Sequence, residues 1–162
     1  IMVTTSESLA NAVSDEVERQ LKLLPRESIA RPAIENNSYI AIMDSIEDMF
    51  TVMNEVAPEH LEIQLPDPMG YMSLVQNAGS VFLGAYASEP LGDYVGGTNH
   101  VLPTSGTARF SSPLGVYDFV KRTSFTQFTR ERLEEVATHI TTLARTEGLE
   151  AHARAIEVRF EK

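Results

Sequence analysis

The stretch SYIAIMDSIEDMFTVMNEVAPEHLEIQ (residues 38–64) decides the fold of this chain. Its first six residues form a short apolar run that is typical of a buried strand. Apolar side chains then recur at helical spacing over residues 46–56, and Pro58 ends that helix. Leu61 and Ile63 alternate with polar neighbours, as they would in a second strand. A strand, a helix and a strand in succession predict a parallel α/β unit.

The segments on either side extend this pattern. Before it, the apolar spacing predicts a helix over residues 4–24, followed by a loop over residues 25–37. After it, a short helix is expected over residues 68–77 and a strand over residues 80–84. Because strands and helices alternate throughout, the sequence favours a parallel sheet with flanking helices.

The last part of the chain follows a different pattern. Residues 123–129 are predicted to be extended, Thr129 can cap a long helix that Gly148 ends, and a final short helix follows. We therefore expect an α/β domain over residues 1–114 and a small helical tail over residues 115–162. A tail of this length buries too little surface to hold a core of its own. It is expected to pack on the α/β part or on a partner subunit.

A glycine-rich stretch lies between these parts: EPLGDYVGGTNHVLPTSGTARF (residues 89–110). It has neither a helical nor a strand period. A disordered segment would lack aromatic and branched side chains, whereas this one keeps several of both. We therefore predict an ordered loop that presents polar groups to a ligand. Its glycines match neither the dinucleotide fingerprint nor a phosphate-binding loop.

Composition restricts the classes of function. The 162 residues carry a net charge of −10, which argues against nucleic-acid binding because that needs a basic surface. No apolar run is long enough to span a membrane, and no secretory leader is visible. The lack of cysteine excludes disulfides and thiolate zinc sites and suits the reducing cytoplasm. The apolar start at Ile1 looks like the end of a strand, so we expect a piece of a longer chain.

Two pairs of residues in the α/β part have positions suited to chemistry. Glu59 and His60 lie between a helix and a strand, where a carboxylate beside an imidazole could serve successive proton transfers. The alternative is a surface glutamate beside a capping histidine. Asp93 and His100 lie in the glycine-rich stretch, where Asp93 could bind a metal through oxygen or could hold an Asx-turn.

The helical tail carries a third candidate pair. Glu147 and His152 flank Gly148, and both residue types suit zinc. Ordinary solvated residues at helix ends are the alternative. His139 lies near the apolar stripe of its helix, so we expect it to be packed or to lie at an interface, and we assign it no chemistry.

Three motifs together resemble one family, histidinol dehydrogenase. They are APEHLEIQ (57–64), AGSVFLGAYASEPLGDYVGGTNHVLPTSGTARFSSPLGVYDFVKRTS (78–124) and EGLEAHARAIEVR (147–159). The resemblance implies a partial Rossmann-like sheet from the C-terminal portion of a chain more than twice as long. It also implies a zinc-dependent, NAD-linked homodimer that oxidises L-histidinol to L-histidine through the aldehyde.

The resemblance also implies roles for particular residues. Glu59 and His60 match the catalytic acid/base pair, with His60 taking the alcohol proton and Glu59 activating the water that adds to the aldehyde. Asp93 and His152 match two zinc ligands. The positions that contact substrate correspond to His60, Asp93, Glu147 and His152. In this family the tail crosses to the other subunit, so Glu147 and His152 would complete the partner's site.

The family's other two zinc ligands, a glutamine and a histidine, and its NAD-binding residues would lie before Ile1. We therefore expect the isolated 162-residue chain to be inactive and to bind zinc weakly. Two alternatives stay open at this point. One is a related dehydrogenase of another alcohol, such as a sulfonated diol, and the other is a non-catalytic fragment that dimerises through residues 115–162.

Overall fold

A computed structural model describes residues 1–161 of the chain. It divides into two compact units, Ile1–Val120 and the segment from Lys121 onward. The regular elements of the first unit are, in chain order, β1 (Met2–Thr4), α1 (Glu7–Leu21), α2 (Glu27–Asn37), β2 (Ile40–Ile42), α3 (Ile46–Val56), β3 (His60–Ile63), β4 (Ser80–Leu83) and α4 (Glu89–Tyr94). Short 3-10 helices cover Pro68–Leu74, Thr107–Arg109 and Val116–Phe119. Within residues 1–161, no helix has the length and apolar character needed to cross a membrane.

The four strands form two parallel pairs. β1 pairs with β2, with Met2 opposite Ile40, and β3 pairs with β4, with His60 opposite Ser80. Parallel neighbours need a long crossover, and helices α1 and α2 supply it between β1 and β2. The predicted α/β class with parallel strands and flanking helices is confirmed. The expected burial of the strand around residues 40–42 is wrong, since Ile40 and Ile42 are 41% and 52% exposed.

The core that supports the site lies under α3 and β3. Ser45 caps α3 by accepting a hydrogen bond from the backbone N–H of Asp48 (3.1 Å). The helix then turns Phe50 inward against Leu61 and Ile63 of β3, and all three side chains are buried. Burial of a side chain of this size stabilises the fold by about 1.5–3 kcal/mol. This cluster fixes the chain on both sides of the Glu59–His60 turn.

The prediction of a loop over residues 25–37 is wrong, because Glu27–Asn37 forms α2. Ion pairs of the Arg31 guanidinium help to stabilise this helix. The guanidinium pairs with Glu27 and Glu35, one turn away on either side, and with Glu18 of α1 at 2.9 Å. The hydrogen bond from Arg31 lowers the pKa of Glu18 to about 2. These contacts favour a helix despite Pro32, whose missing N–H removes one helical hydrogen bond.

The second unit contains α5 (Arg130–Thr146) and α6 (Glu150–Glu157). Thr129 accepts a hydrogen bond from the backbone N–H of Arg132 (3.2 Å), and Gly148 has φ of +75°, so the predicted cap and the predicted helix end are both confirmed. Residues 123–129 form no regular element and are exposed. The unit boundary falls between residues 120 and 121. The division at residues 114 and 115, with an exchanged tail, stays a prediction about the assembled protein.

Candidate functional site

The Glu59–His60 turn is held by a close backbone contact. The backbone N–H of Gly79 donates to the carbonyl oxygen of Pro58, and that of Ser80 donates to the carbonyl oxygen of Glu59 (both 2.9 Å). A Cβ at Gly79 would lie 2.6 Å from the Glu59 carbonyl oxygen. Only glycine can therefore follow this path without moving the chain, and the glycine fixes where β3 begins.

His60 is partly buried at the start of β3, beside the aromatic ring of Phe82 on β4. The two ring centroids are 6.1 Å apart. Within the described residues, the Nε2 of His60 is buried and has no hydrogen-bond partner. A buried polar atom without a partner costs about 1–3 kcal/mol. The imidazole is therefore placed to accept a proton from, or to bind, a group that the chain itself does not provide.

The glycine-rich stretch begins with a short helix, α4, where the sequence predicted only a loop. Ser88 has the extended backbone of a helix cap and Pro90 lies in the first turn, both of which start helices. The backbone N–H of Glu89 donates to a side-chain oxygen of Glu62 on β3 (3.1 Å). Glu89 and Asp93 are one turn apart, so the two carboxylates lie on one face of α4.

Gly92 brings α4 down onto the sheet. A Cβ there would lie 2.8 Å from two ring carbons of Phe82, the same ring that lies beside His60. Carbon atoms prefer about 3.5–4.0 Å, so no side chain fits between the helix and this ring. The glycine thus sets the distance between the carboxylates of α4 and the imidazole on β3.

His60, Glu89 and Asp93 form a cluster in which one ligand atom from each residue lies within 4.8 Å of the others. Imidazole nitrogen and carboxylate oxygen are typical zinc ligands at about 2.0–2.2 Å, which puts tetrahedral ligands about 3.4 Å apart. The donor types therefore fit a metal, and the ligand atoms would have to close by at most about 1.4 Å to coordinate one. The cluster can hold a cation, or it can pass a proton between imidazole and carboxylate.

The charges in the cluster are linked through Asp93. The Nδ1 of His100 lies 2.8 Å from Oδ1 of Asp93, and this contact holds the pKa of the Asp93 carboxyl below its ordinary value. The same contact raises the pKa of His100, whose side chain is 73% exposed. A hydrogen bond with Asp93 raises the pKa of Glu89. The negative charge of Asp93 thus disfavours the ionised form of Glu89.

The two candidate residues of the tail belong to the second unit. Glu147 is the C-cap of α5, and its backbone N–H donates to the carbonyl oxygen of Leu143 (3.0 Å). His152 lies on α6 and is exposed, as is Glu147. His139 is also exposed, so its expected packing within the described chain is wrong, and its position at an interface stays a prediction. The roles of Glu147 and His152 at a shared site also stay predictions.

Sequence reasoning found His60 and Asp93, which the fold brings together, but it missed Glu89. The spacing of Glu89 and Asp93 could have indicated a carboxylate pair had the helix been recognised. Glu59 lies next to His60 and is partly exposed, with its backbone carbonyl held by β4. The alternative of an Asx-turn at Asp93 is replaced by a helical residue whose carboxylate faces an imidazole.

The fold and the cluster together define an α/β protein with a metal-capable site of imidazole and carboxylate groups. The family model described as "Histidinol dehydrogenase" matches residues 1–160. The chain is 66% identical over 161 residues to the histidinol dehydrogenase of Lactiplantibacillus plantarum, covering 99% of this chain and 38% of that protein. It is 59% identical to the Streptococcus mutans enzyme of the same name, covering 100% of this chain and 38% of the relative.

A solved structure agrees with these sequence matches. The crystal structure of histidinol dehydrogenase from Elizabethkingia anophelis superposes with a TM-score of 0.77 at 38% identity, covering 98% of this chain and 36% of that one. The chain belongs to the histidinol dehydrogenase family. It spans about 38% of the length of the curated relatives.

Proposed function

We propose that this chain works as part of a longer histidinol dehydrogenase, which oxidises L-histidinol to L-histidine through histidinal with NAD as the oxidant. The observation that supports this most directly is His60, whose Nε2 has no partner within the described residues and whose ring offers a nitrogen to the cluster with Glu89 and Asp93. Family membership supplies the reaction class. The relatives' name favours this reading over a dehydrogenase of a sulfonated diol or a non-catalytic dimerisation module.

In this proposal His60 accepts the hydroxyl proton of the alcohol, because its Nε2 has no competing partner within the described chain. Its neighbour Glu59 activates the water that adds to the aldehyde before the second oxidation. His60 releases the first proton to solvent and then takes the hydroxyl proton of the hydrated aldehyde. NAD, when bound, would accept one hydride in each oxidation, so the reaction would yield two NADH. The residues that bind NAD are expected outside these 162 residues.

Asp93 and His152 are the proposed metal ligands of this chain, and His60, Asp93, Glu147 and His152 are the proposed substrate contacts. Zinc, when bound, would orient the imidazole and amine of histidinol. The acidic face of α4 supports this assignment, because a cation there relieves the repulsion between Glu89 and Asp93. We further propose a homodimer in which Glu147 and His152 serve the partner's site, and a cytoplasmic location.

The test measures NADH formation from L-histidinol by the longer enzyme and by variants of it. H60Q should lower kcat by about 10²–10⁴-fold, which is the usual contribution of a general base. H139Q is the matched control, because His139 is an exposed histidine of α5 to which we assign no chemistry. Wild-type kcat in H60Q would refute the role of His60.

Two further measurements separate the proposed parts of the function. The isolated 162-residue chain should form no NADH from histidinol, and measurable turnover would contradict the need for residues outside it. A faster reaction of the longer enzyme with a sulfonated diol than with histidinol would reject the proposed substrate.

A further inference from the structure

The end of α3 lies directly before the Glu59–His60 turn, and its last carbonyl groups take partners from outside the helix. The final four carbonyls of an α-helix lack the N–H groups that a further turn would supply. The carbonyl oxygen of Asn54 accepts a hydrogen bond from Nδ2 of Asn77 (3.0 Å). That of Glu55 accepts one from the guanidinium of Arg109. Side chains from two other segments therefore hold the end of this helix.

The side chain of Asn54 returns the contact. Its Oδ1 accepts hydrogen bonds from the backbone N–H groups of Gln76 (2.8 Å) and Asn77 (3.2 Å). Its Nδ2 donates to the carbonyl oxygen of Leu74 (2.9 Å). A side-chain amide can make these bonds together because it carries both an acceptor and a donor group. Four hydrogen bonds thus join Asn54 to residues 74–77, and we call this set the asparagine latch.

The latch lies on both sides of the Glu59–His60 turn. Asn54 is in the last turn of α3, and Asn77 is two residues before Gly79. Gly79 and its neighbour Ser80 donate the backbone hydrogen bonds that hold the turn. The latch therefore fixes the chain that leads into the turn and also the chain that pairs with it. Both asparagines are half-buried, so water competes less for these bonds.

Ala57 connects α3 to the turn in a strained conformation. Its φ of +49° lies in the left-handed region, which glycine adopts freely and alanine avoids. Ala57 is completely buried, and its backbone N–H donates to the carbonyl oxygen of Met53 (3.0 Å). Such a conformation persists only where the surrounding structure fixes it. The latch does so, because Asn54 holds the chain before Ala57 and Asn77 holds the partner of the chain after it.

We infer that Asn54 and Asn77 are positioning residues for the Glu59–His60 turn. Their hydrogen bonds keep Ala57 in its left-handed conformation, and that conformation sets the direction in which the turn leaves α3. Neither asparagine is a member of the cluster that His60 joins, so the effect on the reaction passes through the backbone. This inference rests on the proposed catalytic role of the turn, and the experiments separate the two.

Amide hydrogen exchange in the longer enzyme reports on the turn without any reaction. N54L removes the polar groups of the latch, keeps a branched side chain of similar size, and does not weaken the helix, because leucine is the better helix former. The amides of Gly79 and Ser80 should exchange at least about tenfold faster in N54L. The amide of Gly84, which donates to Ile63 at the other end of the strand pair (3.0 Å), should keep its wild-type rate. Unchanged exchange at Gly79 and Ser80, or an equal acceleration of all three amides, would overturn the inference.

The kinetic test measures NADH formation from L-histidinol at a temperature at which every variant is folded. N54L and N77L should each lower kcat by about 10–100-fold, because a displacement of about 1 Å at the reacting groups has an effect of this size. The KM for histidinol should change by less than about threefold, since the proposed substrate contacts other than His60 lie outside the turn. A purely structural role would lower the denaturation midpoint and leave kcat unchanged, and that result would refute the positioning role.

Two further variants provide a control and a partial rescue. The side chain of Asn36 also donates to a backbone carbonyl oxygen, that of Pro32 (2.8 Å), but it is exposed on α2 and outside the latch. N36L should therefore leave kcat, KM and the exchange rates unchanged. N54D keeps the two acceptor bonds of the latch and loses the donor bond, so its kcat should lie between those of the wild type and N54L. A kcat of N54D as low as that of N54L would count against the latch.

The strain at Ala57 offers a second rescue. Glycine holds the left-handed conformation without strain, so A57G in the N54L background should raise kcat by at least about threefold over N54L alone. A kcat that A57G leaves unchanged or lowers would show that the latch does not act through this strain, and the inference would fail. H60Q distinguishes this failure from that of the proposed function. If H60Q lowers kcat and N54L does not, only the positioning role is refuted, whereas wild-type kcat in H60Q refutes the proposed function itself.

Discussion

Substitution of Gly92 by alanine should damage the site more than the fold. The added Cβ would lie 2.8 Å from Phe82, so α4 must move away from that ring by about 0.7–1.2 Å to restore ordinary contact. Overpacking of this kind costs about 1–3 kcal/mol, whereas replacing glycine inside a helix recovers about 1 kcal/mol. The net change in the free energy of unfolding should therefore be about 0–2 kcal/mol destabilising.

The effect on catalysis should be larger, because α4 carries Asp93 towards His60. A displacement of about 1 Å at a catalytic constellation can cost 10²-fold in rate. We therefore expect G92A to lower kcat for histidinol oxidation by the longer enzyme by about 10–100-fold while thermal unfolding remains cooperative. Zinc content of the purified variant should fall in parallel.

The ring of Phe82 provides the control that isolates this cause. Leucine has no atoms at the two ring positions that clash with the new Cβ, so F82L should make room for it. In the F82L background, G92A should therefore lower kcat by less than it does in the wild type. Equal losses in both backgrounds would refute the argument that the Phe82 contact sets the site distance, and so would wild-type kcat and zinc content in G92A.

Three further predictions follow from the same geometry. G79A should lower the denaturation midpoint and kcat together, because its Cβ would lie 2.6 Å from a carbonyl oxygen, whereas G115A, with nothing closer than 3.9 Å, should change neither. In the metal-free protein, an NMR titration should show the pKa of His100 above its ordinary value, and D93N should lower it, since the carboxylate is the main cause of the shift. The contribution of His100 to stability is present below about pH 6.5 and is lost as the pH rises through the raised pKa of His100. The contribution of Asp93 is present above about pH 4 and is lost as the pH falls through the lowered pKa of Asp93. Chelation should abolish activity of the longer enzyme and added zinc should restore it, whereas D93N should retain its fold but bind less zinc; full zinc content in D93N would exclude Asp93 as a ligand.

The sequence predicts those elements whose signals are local. The spacing of apolar residues in α3 and the alternation around Leu61 each predict structure without knowledge of the rest of the chain, and both are confirmed. The prediction for residues 27–37 is wrong because the signal there is not local. Arg31 pairs with Glu18 of another helix at 2.9 Å, and no local pattern of the sequence shows that contact.

The candidate site illustrates the same division. Spacing alone could not show that His60 and Asp93 meet, because they lie on different elements and come together only through the pairing of β3 with β4 and the packing of α4 on Phe82. The family resemblance implied that His60 and Asp93 lie at one site, and their positions in the structure agree with it. Glu89 was missed because the glycines around it concealed a helix that Ser88 and Pro90 begin.

The glycines of this region therefore have a meaning that their sequence context hides. In a sequence, clustered glycines indicate a flexible or sharply turning loop. In the structure, Gly79 and Gly92 have ordinary negative φ angles, and each leaves room for a neighbour that would otherwise be displaced, a carbonyl oxygen in one case and an aromatic ring in the other. Both neighbours contact the element that carries His60. The two glycines thus determine the geometry of the site because they lack a side chain. Substitution of either glycine by alanine adds a Cβ and tests that geometry directly.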